Sequence, residues 1–400
     1  MADNKDKKVL NVPALRFPEF TGEWERHKLS EVCSFYSGGT PSSSKKEYYN
    51  GNIPFIRSGE LHKDYTELFI TEAGLSNSAA KLVETGDLLL ALYGATSGDI
   101  AISKIKGAIN QAILCIRTKQ NKKFIESVWN KHVERLLQTY LQGGQGNLSA
   151  DIVKNIPFYF ANSNEQDKLA KFISLLDERI ATQNKIIEKY ESLIQAMCDT
   201  LVEQETQQVT LSFSDFGQSY LGLSGKSAED FGEGYPFITY MNVYQNQIID
   251  LTDVGLVKIN ETEQQSVVRY GDILLTLSSE TPEEVGMGAV YLGETYPLYL
   301  NSFCFGIHIT DESKIYPPFL AYYVSSQSFR KAVYPLAQGS TRFNLQKSDF
   351  MKKKFSFPMI EKQRKIYSTL KTYSDKLIVE KQIMRLLCNQ KCYLLRQLFI

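Results

Sequence analysis

Cysteine and histidine are scarce in this chain, and their spacing argues against a metal site or a disulfide framework. Six cysteines and four histidines are spread over 400 residues. None of them stands in the Cys-x-x-Cys or His-x-x-x-His spacing typical of zinc sites, so no metal ligand is expected. Cys198, Cys388 and Cys392 fall in helical patterns, and we interpret them as reduced packing residues of a cytoplasmic protein.

An excess of charge and long apolar runs are also missing. Lys plus Arg and Asp plus Glu both number 45, so the formal net charge is zero, and any nucleic-acid contact must use local patches. No apolar run approaches the roughly 18 residues of a membrane-spanning helix, and the N-terminus has no apolar core of a signal segment. We therefore expect a soluble protein of two or three domains that has no membrane partner.

Catalytic motifs are absent as well. The segment Gly225-Lys226-Ser227 resembles the end of a phosphate-binding loop, but the glycine required five positions earlier is Tyr220. A nucleotide-dependent enzyme built on this segment stays as an alternative, which ATP binding to the isolated chain would test. The sequence favours a chain that is not an enzyme and that binds no cofactor of its own.

What the chain does contain is an internal repeat at a period of roughly 190 residues. The matches are residues 53–56 (IPFI) with 235–238 (YPFI), 86–92 (GDLLLAL) with 271–277 (GDILLTL), Leu29 with Leu211, Asn147-Leu148 with Asn344-Leu345, and Gln166 with Gln363. Each copy begins with short apolar runs bounded by turn residues, a pattern typical of strands, and ends with a heptad pattern, which predicts a long helix.

The two heptad helices are expected to pack on each other as an antiparallel pair. Residues 165–205 carry five bases and nine acids, whereas residues 361–400 carry nine bases and three acids, so an acidic helix would face a basic one. Two helices that each pack on their own domain remain the alternative. The predicted core of the pair is Leu169, Ile173, Leu176, Ile180, Ile187, Ile194, Leu201, Ile366, Leu370, Leu377, Met384, Leu387, Leu394 and Leu398.

These patterns predict an α+β fold with an internal pseudo-two-fold repeat, in which two mixed, mostly β domains are joined by two long antiparallel coiled-coil helices. The expected boundaries are a first domain at 1–161 (with 1–11 disordered), a helix at 162–205, a second domain at 206–357 and a helix at 358–400.

Several longer motifs resemble the specificity subunit of type I restriction-modification systems, and the resemblance covers essentially the whole chain. The motifs are residues 12–24 (VPALRFPEFTGEW) followed by Leu29, 37–42 (SGGTPS), 51–56 (GNIPFI), and, in the second half, 222–227 (GLSGKS) and 235–243 (YPFITYMNV). One departure from the repeat is Ala161, which stands where the second copy has Pro358 before its helix.

The resemblance implies that the β-rich domains are target-recognition domains, each reading one half of a bipartite, asymmetric site on double-stranded DNA. It implies that the paired helices set the spacer and dock two methyltransferase subunits, and that two restriction subunits join the full complex. It places adenine methylation from S-adenosylmethionine and cleavage driven by ATP and Mg in those partners. A coiled-coil scaffold that does not bind DNA is the alternative function.

Polar, glycine-rich loops are the candidate DNA readers, because Arg, Asn and Gln can pair with base edges while Lys holds phosphates. Residues 339–344 form the strongest segment, and the basic run 352–354 is a candidate phosphate clamp. The candidate residues are Thr40, Ser43, Lys45, Lys46, Arg57, Tyr93, Thr96, Ser97, Gln145 and Asn147 in the first domain, and Lys226, Thr239, Tyr240, Asn242, Ser279, Ser340, Thr341, Arg342 and Asn344 in the second.

Overall fold

A computed structural model describes residues 10–141, 147–294 and 296–400. The chain divides into two compact units, which we call unit 1 and unit 2. Unit 1 contains the chain up to Asn184 together with Gln382–Ile400, and unit 2 contains Lys185–Lys381. Of the segment 1–11 that was predicted to be disordered, residues 1–9 lie outside the described residues, whereas the carbonyl of Asn11 accepts a hydrogen bond from the Trp24 amide (2.8 Å).

Unit 1 is built mainly from short strands and one long helix. Its elements before the first heptad helix are β1 (Glu25–Lys28), α1 (Leu29–Val32), β2 (Cys33–Ser37), β3 (Tyr49–Ile56), β4 (Phe69–Ile70), α2 (Glu72–Ser76), β5 (Lys81–Val83), β6 (Leu88–Ala91), β7 (Ile100–Ile102), β8 (Gly107–Ile109), β9 (Ile113–Thr118), α3 (Lys122–Leu141), α4 (Ala150–Asn155) and β10 (Pro157–Phe160). The strands form sheets of order β2-β9-β6-β7 and β4-β3-β8-β5, and β1 pairs with β10.

Unit 2 repeats this plan. Its elements between the heptad helices are β11 (Gln208–Ser212), β12 (Gly217–Leu221), β13 (Phe231–Ile238), α6 (Tyr240–Gln245), β14 (Val254–Val257), β15 (Ile273–Thr276), β16 (Ser278–Ser279), β17 (Gly288–Val290), β18 (Tyr299–Leu300), β19 (Cys304–Ile309), α7 (Pro317–Tyr323), α8 (Gln327–Val333), β20 (Ala337–Gln338), β21 (Phe343–Leu345), α9 (Lys347–Lys352) and β22 (Lys354–Pro358). The sheet β12-β19-β15-β17 and the pair β11-β22 match β2-β9-β6-β7 and β1-β10 of unit 1, and β14-β13-β18 matches the first three strands of β4-β3-β8-β5. Unit 2 has in addition a three-stranded sheet of order β16-β21-β20. The predicted internal repeat is therefore confirmed.

The repeat extends to a buried glutamine at the start of each long helix. Gln166 and Gln363 are 2% and 0% exposed. Each donates from Nε2 to a carbonyl just ahead of its helix, that of Ala161 or Pro358 (both 2.8 Å), and each accepts a backbone N–H from a distant segment. The Ala161 and Pro358 positions are thus equivalent, because only their carbonyls are used.

One predicted match of the repeat is wrong. Leu29 begins the helical turn that follows β1, and the residue that begins the corresponding turn after β11 is Phe213, not Leu211. Both Leu29 and Phe213 are fully buried. The core accepts either side chain at this place, so residue identity misled the alignment by two positions.

Both predicted long helices are present, as α5 (Ser163–Glu203) and α10 (Ile360–Leu398). Each unit contains a part of both helices. In unit 2 they run antiparallel, because Lys381 pairs with Glu191 (2.7 Å) while Lys362 pairs with Glu205 (3.3 Å). In unit 1, residues near the start of α5 share a core cluster with residues near the end of α10.

The fourteen predicted core positions of the helix pair are all shielded from solvent to some degree. Eight of them are buried, namely Leu169, Ile173, Ile187, Ile194, Ile366, Leu370, Leu387 and Leu398; Leu176, Ile180, Leu201, Leu377, Met384 and Leu394 are half-buried. The interpretation of two cysteines as packing residues is wrong, however. Cys388 and Cys392 are exposed on α10, whereas Cys198 is buried.

Asp177 joins three helical segments of unit 1. Its carboxylate on α5 lies 2.6 Å from the Lys123 ammonium of α3 and 2.6 Å from the Lys391 ammonium of α10. Partial burial by itself would raise the pKa of Asp177, but the hydrogen bonds from the two lysines outweigh it and lower the pKa. Asp177 is therefore a charged link between α3 of the β-rich domain and both long helices.

We expect Asp177→Asn to lower the free energy of unfolding of unit 1 by about 1–3 kcal/mol at pH 7, since Lys391 loses its carboxylate partner and Lys123 keeps only Glu126. Because the folded-state pKa of Asp177 is depressed, its contribution is present above the ordinary pKa of about 3.9 and is lost as the pH falls through the folded value. Urea unfolding at several pH values measures both effects. Asp151→Asn, which removes an exposed carboxylate of the same unit, is the matched control, and equal stability of the two variants would contradict the role of Asp177.

Candidate nucleic-acid interface

In unit 1, the ends of four strands meet at one edge of the sheets. The register pairs Ser37 with Leu114 and Ala91 with Ile113, so β2 and β6 both end where β9 begins. Ile56 is paired with Ile109, so the parallel strands β3 and β8 end together. The loops that carry Thr40, Arg57 and Tyr93 therefore emerge at this edge, which we call the reading edge.

A close backbone approach sets the position of Thr40 at the reading edge. A Cβ atom on Gly38 would lie 1.9 Å from the Ile109 carbonyl oxygen, so only glycine allows the loop after β2 to contact the end of β8. The Thr40 hydroxyl then hydrogen-bonds to the side-chain oxygen of Gln111. Burial raises the pKa of Tyr93, and the nearby Gln111 side chain partly offsets this effect. Gln111 is exposed, and it stands in none of the motifs from which the candidate residues were chosen.

Arg57 is held by two carboxylates. Its guanidinium donates to Glu60 (2.9 Å) and to Glu67 (2.8 Å). Burial would raise the pKa of Glu60, but the hydrogen bonds from Arg57 and from backbone amides lower it to about 2. Arg57 therefore reaches the edge as a guanidinium that is already oriented and partly neutralised.

The remaining candidate residues of unit 1 differ in solvent exposure and in their hydrogen bonds within the protein. Ser43, Lys45, Lys46 and Asn147 are exposed, although the Lys45 ammonium contacts the Tyr48 hydroxyl (3.0 Å). Thr96 and Ser97 are half-buried, and the Ser97 hydroxyl donates to the Leu92 carbonyl (3.0 Å). Asn147 is placed at the reading edge because the next amide, of Leu148, donates to Leu92 (2.9 Å). Gln145 lies outside the described residues.

Unit 2 has an equivalent reading edge. The parallel pair Ile238 and Leu300 ends β13 and β18 together, and the pair Thr276 and Cys304 places the end of β15 at the start of β19. The Leu345 amide donates to Leu277 (2.8 Å), as Leu148 does to Leu92. This edge therefore carries the candidates Thr239, Tyr240, Ser279, Ser340, Thr341, Arg342 and Asn344.

A cleft of about 680 Å³ opens at the unit 2 reading edge, and Tyr240, Ser279, Thr341 and Arg342 all line it. Thr341 and Arg342 belong to the turn between β20 and β21. In that turn Gly339 has φ +143°, and a Cβ there would lie 2.0 Å from the Arg342 carbonyl oxygen. The sequence-based choice of segment 339–344 thus coincides with a tight glycine-dependent turn at the cleft. Met241 and Glu280, which the sequence did not single out, also line it.

Two of the candidates in unit 2 have internal roles. Asn242 is fully buried, and its side chain bonds to backbone groups of Asp250 and Asp253. The Lys226 side chain is 4% exposed and forms an ion pair with Glu263. Both are therefore corrected from DNA contacts to supports of the loops. Ser227 is followed only by a three-residue 3₁₀ turn, whereas a phosphate-binding loop leads into a helix.

Only part of the basic run 352–354 is free to bind a DNA phosphate. The Lys354 ammonium pairs with Asp215 (2.7 Å), and hydrogen bonds from Lys354 and Ser212 lower the pKa of Asp215. Lys352 is exposed and Lys353 is half-buried. A phosphate clamp at this run stays a prediction, and it depends on Lys352 more than on Lys354.

A repeated polar cluster lies on the first sheet of each unit. In unit 1, the Arg117 guanidinium stacks on Tyr36 (5.1 Å) and pairs with Asp87 (2.8 Å). At the same places in unit 2, the His308 ring stacks on Tyr220 (4.2 Å) and contacts Asp272 (2.9 Å). The aromatic ring and the carboxylate are retained, while the third side chain is Arg117 in unit 1 and His308 in unit 2. The same three positions therefore link the strands of the sheet in both units.

Comparison with known proteins identifies the family. The chain matches the family described as "Type I restriction modification DNA specificity domain" over residues 21–192 and again over residues 222–387. Each match begins near or within the β-rich part of one half and ends within the long helix that follows. The chain therefore belongs to the specificity subunits of type I restriction-modification systems, whose role is DNA sequence recognition.

Individual relatives agree with this assignment. The chain is 22% identical to the type I restriction enzyme MjaVIII specificity subunit of Methanocaldococcus jannaschii, over 94% of this chain and 92% of that protein. It is 27% identical to the EcoR124I/EcoR124II specificity subunit of Escherichia coli, over 41% of this chain and 43% of that protein. These comparisons give no support to a scaffold that does not bind DNA.

Solved structures share the fold. The S subunit of a type I restriction-modification system from M. genitalium covers 97% of this chain and 99% of its own length, with a TM-score of 0.54 and 17% identity. A structure concerning complex assembly and conformational transition of the type I R-M system covers 93% of this chain and 96% of its own, with a TM-score of 0.59 and 15% identity.

Neither a membrane span nor a metal cluster is found in the part of the chain that the structure describes. There, no helix has the length and apolar content to cross a bilayer. Within the same ranges, no group of three or more His, Cys, Asp or Glu side chains is arranged to hold a metal ion.

Proposed function

We propose that unit 1 and unit 2 each read one half of a bipartite, asymmetric DNA sequence through their reading edges. The observation that carries this proposal is the equivalence of the two edges. In both units, the loops that follow the corresponding strands emerge at the same edge. In each unit a glycine, Gly38 or Gly222, lies so close to a neighbouring strand that an added Cβ would be 1.9 Å or 2.0 Å from a backbone carbonyl oxygen. The loop side chains differ between the units, as expected when two copies of one fold read different bases.

We further propose that the long helices dock two methyltransferase subunits. Support comes from large apolar side chains that point away from the helix seam. On unit 1, Leu386 and Tyr393 of α10 are 67% and 57% exposed and stand seven residues apart, so they share one face of the helix. On unit 2, Ile378 and Val379 are 55% and 50% exposed. Clusters of exposed, large apolar residues are typical of a protein-binding surface.

The chemistry is assigned to partner subunits in this proposal. The chain is a non-catalytic subunit that recognises the DNA sequence and acts in the cytoplasm. The methyltransferase subunits use S-adenosylmethionine. Two restriction subunits with ATP and Mg complete the complex. The support is that the motifs for these activities are missing from the sequence, while the reading edges are built from short polar loops.

We expect a defined methylation pattern when the chain is produced together with the methyltransferase subunit of its system in a host that lacks DNA methylation. Genome-wide mapping of modified adenines should return a two-part motif with a fixed gap, because two separate edges contact the DNA. The methyltransferase produced without this chain is the control. A verified complex that methylates no defined motif would contradict the proposal.

A further inference from the structure

The cleft at the unit 2 reading edge has a scaffold whose polar groups are satisfied internally. Tyr240 and Tyr244 stack with their ring centroids 6.0 Å apart. The Tyr240 hydroxyl donates to the Ser278 carbonyl (2.8 Å), and the Tyr244 hydroxyl donates to Glu284 (2.6 Å). Glu284 also accepts from the Ser279 hydroxyl (3.0 Å), and these bonds lower the pKa of Glu284. The hydrogen bonds from Tyr244 and Ser279 therefore orient the Glu284 carboxylate and favour its charged form.

Two charged side chains of the cleft are left unpaired. Arg342 and Glu280 are both exposed, and neither forms an ion pair within 4 Å with any residue that the structure describes. Arg342 is nevertheless held, since its guanidinium lies over the ring of Phe303 (5.4 Å), an exposed aromatic residue in the loop before β19. The cleft lining therefore includes a donor-only group and an acceptor-only group in addition to the two tyrosines.

From these groups we infer that the unit 2 cleft reads a G·C base pair, with Arg342 donating to guanine and Glu280 accepting from the cytosine amino group. Guanine presents two acceptors, N7 and O6, in the major groove, and cytosine presents the N4 donor, so the pair matches a guanidinium beside a carboxylate. The ring of Phe303 lies against the Arg342 guanidinium and restricts its orientation. This inference rests on the proposed function of unit 2.

A phosphate contact at the same place is disfavoured by charge. Glu280 and Glu284 both line the cleft, and two carboxylates repel the DNA backbone. A carboxylate at a DNA interface is instead suited to accept a hydrogen bond from a base amino group. The combination of one guanidinium with an acidic wall is therefore a base-reading arrangement.

The test uses the full chain with the methyltransferase subunit, and maps methylated motifs for the wild type and for Arg342→Gln, Glu280→Gln and Glu283→Gln. Glu283 is an exposed carboxylate in the same segment that does not line the cleft, so its variant is the matched control. We expect Arg342→Gln and Glu280→Gln to reduce discrimination at a G·C position on the order of tenfold or more. The change should fall in one half of the motif only, and Glu283→Gln should keep the wild-type motif.

The outcomes separate this inference from the function on which it rests. A wild-type motif that is unchanged in Arg342→Gln and Glu280→Gln overturns the inference and leaves the proposed function intact. Relaxation at an A·T position, or equal relaxation in Glu283→Gln, overturns it as well. A wild-type complex without any motif contradicts the proposed function itself. Equal melting temperatures of the variants show that the result does not come from unfolding.

Discussion

Replacement of Gly38 by alanine should destabilise unit 1 by about 3 kcal/mol and remove recognition of one half of the DNA site. The added Cβ would lie 1.9 Å from the Ile109 carbonyl oxygen and 2.6 Å from that of Asn110, so β2 and β8 must separate. That separation breaks the contact between Thr40 and Gln111 at the reading edge. Thermal unfolding measures the first effect, and methylation mapping with the methyltransferase subunit measures the second.

The chain provides a matched control and an independent repeat of this experiment. Gly59 has no atom within 4 Å of its Cβ position, so Gly59→Ala should change stability by less than about 0.5 kcal/mol. Gly222 occupies the place of Gly38 in unit 2, with the Asn301 carbonyl oxygen 2.0 Å from its Cβ position. Gly222→Ala should therefore disturb the opposite half of the motif. Wild-type stability and motif in Gly38→Ala would show that the close approach is not required.

Lengthening both long helices by one heptad should widen the unread gap of the DNA motif by about three base pairs. Seven residues add about 10.5 Å of helix, and B-DNA rises about 3.4 Å per base pair. A full heptad keeps the apolar seam in register, so the insertions are placed after Asn184 in α5 and after Lys381 in α10. Methylation mapping reads the gap directly, with both half-sites expected to keep their sequences.

Two controls belong to the helix experiment. Seven residues inserted after Glu261, in an exposed loop of unit 2, should leave the gap unchanged. A heptad in one helix alone should prevent the seam from pairing and lower the yield of active complex. If the double insertion gives an active complex with the original gap, helix length does not set the spacer.

The repeat and the long helices were predictable because each depends on a pattern that buried positions impose on the sequence. The heptad positions had to be apolar to form the seam. The match of Asn147-Leu148 with Asn344-Leu345 reflects one backbone hydrogen bond in each unit, from Leu148 to Leu92 and from Leu345 to Leu277. The Leu29 match failed where burial alone was required, since Phe213 fills the same place equally well.

The reading edges were less predictable, since the type of a polar residue does not reveal its partner. Lys226 is neutralised by Glu263, which is 37 residues away, and Asn242 is used by a loop that folds back onto α6. No local sequence pattern predicts contacts between residues that are this far apart in the chain. Gln111 and Glu280 were missed because no motif marks them in the sequence. Each follows a short strand, and only the convergence of strand ends in the structure places it among the candidate residues.

The exposed thiols of α10 offer a chemical handle on this molecule. Cys388 and Cys392 are one helical turn apart on one face of α10, whereas three of the other four cysteines are buried and Cys33 is partly buried. A thiol-reactive fluorophore, or a bifunctional reagent that spans one turn, would therefore label this helix ahead of other sites without any engineered residue. Tyr393, part of the proposed docking face, is adjacent to Cys392, so changes in the emission of such a label would report the arrival of a partner subunit in real time.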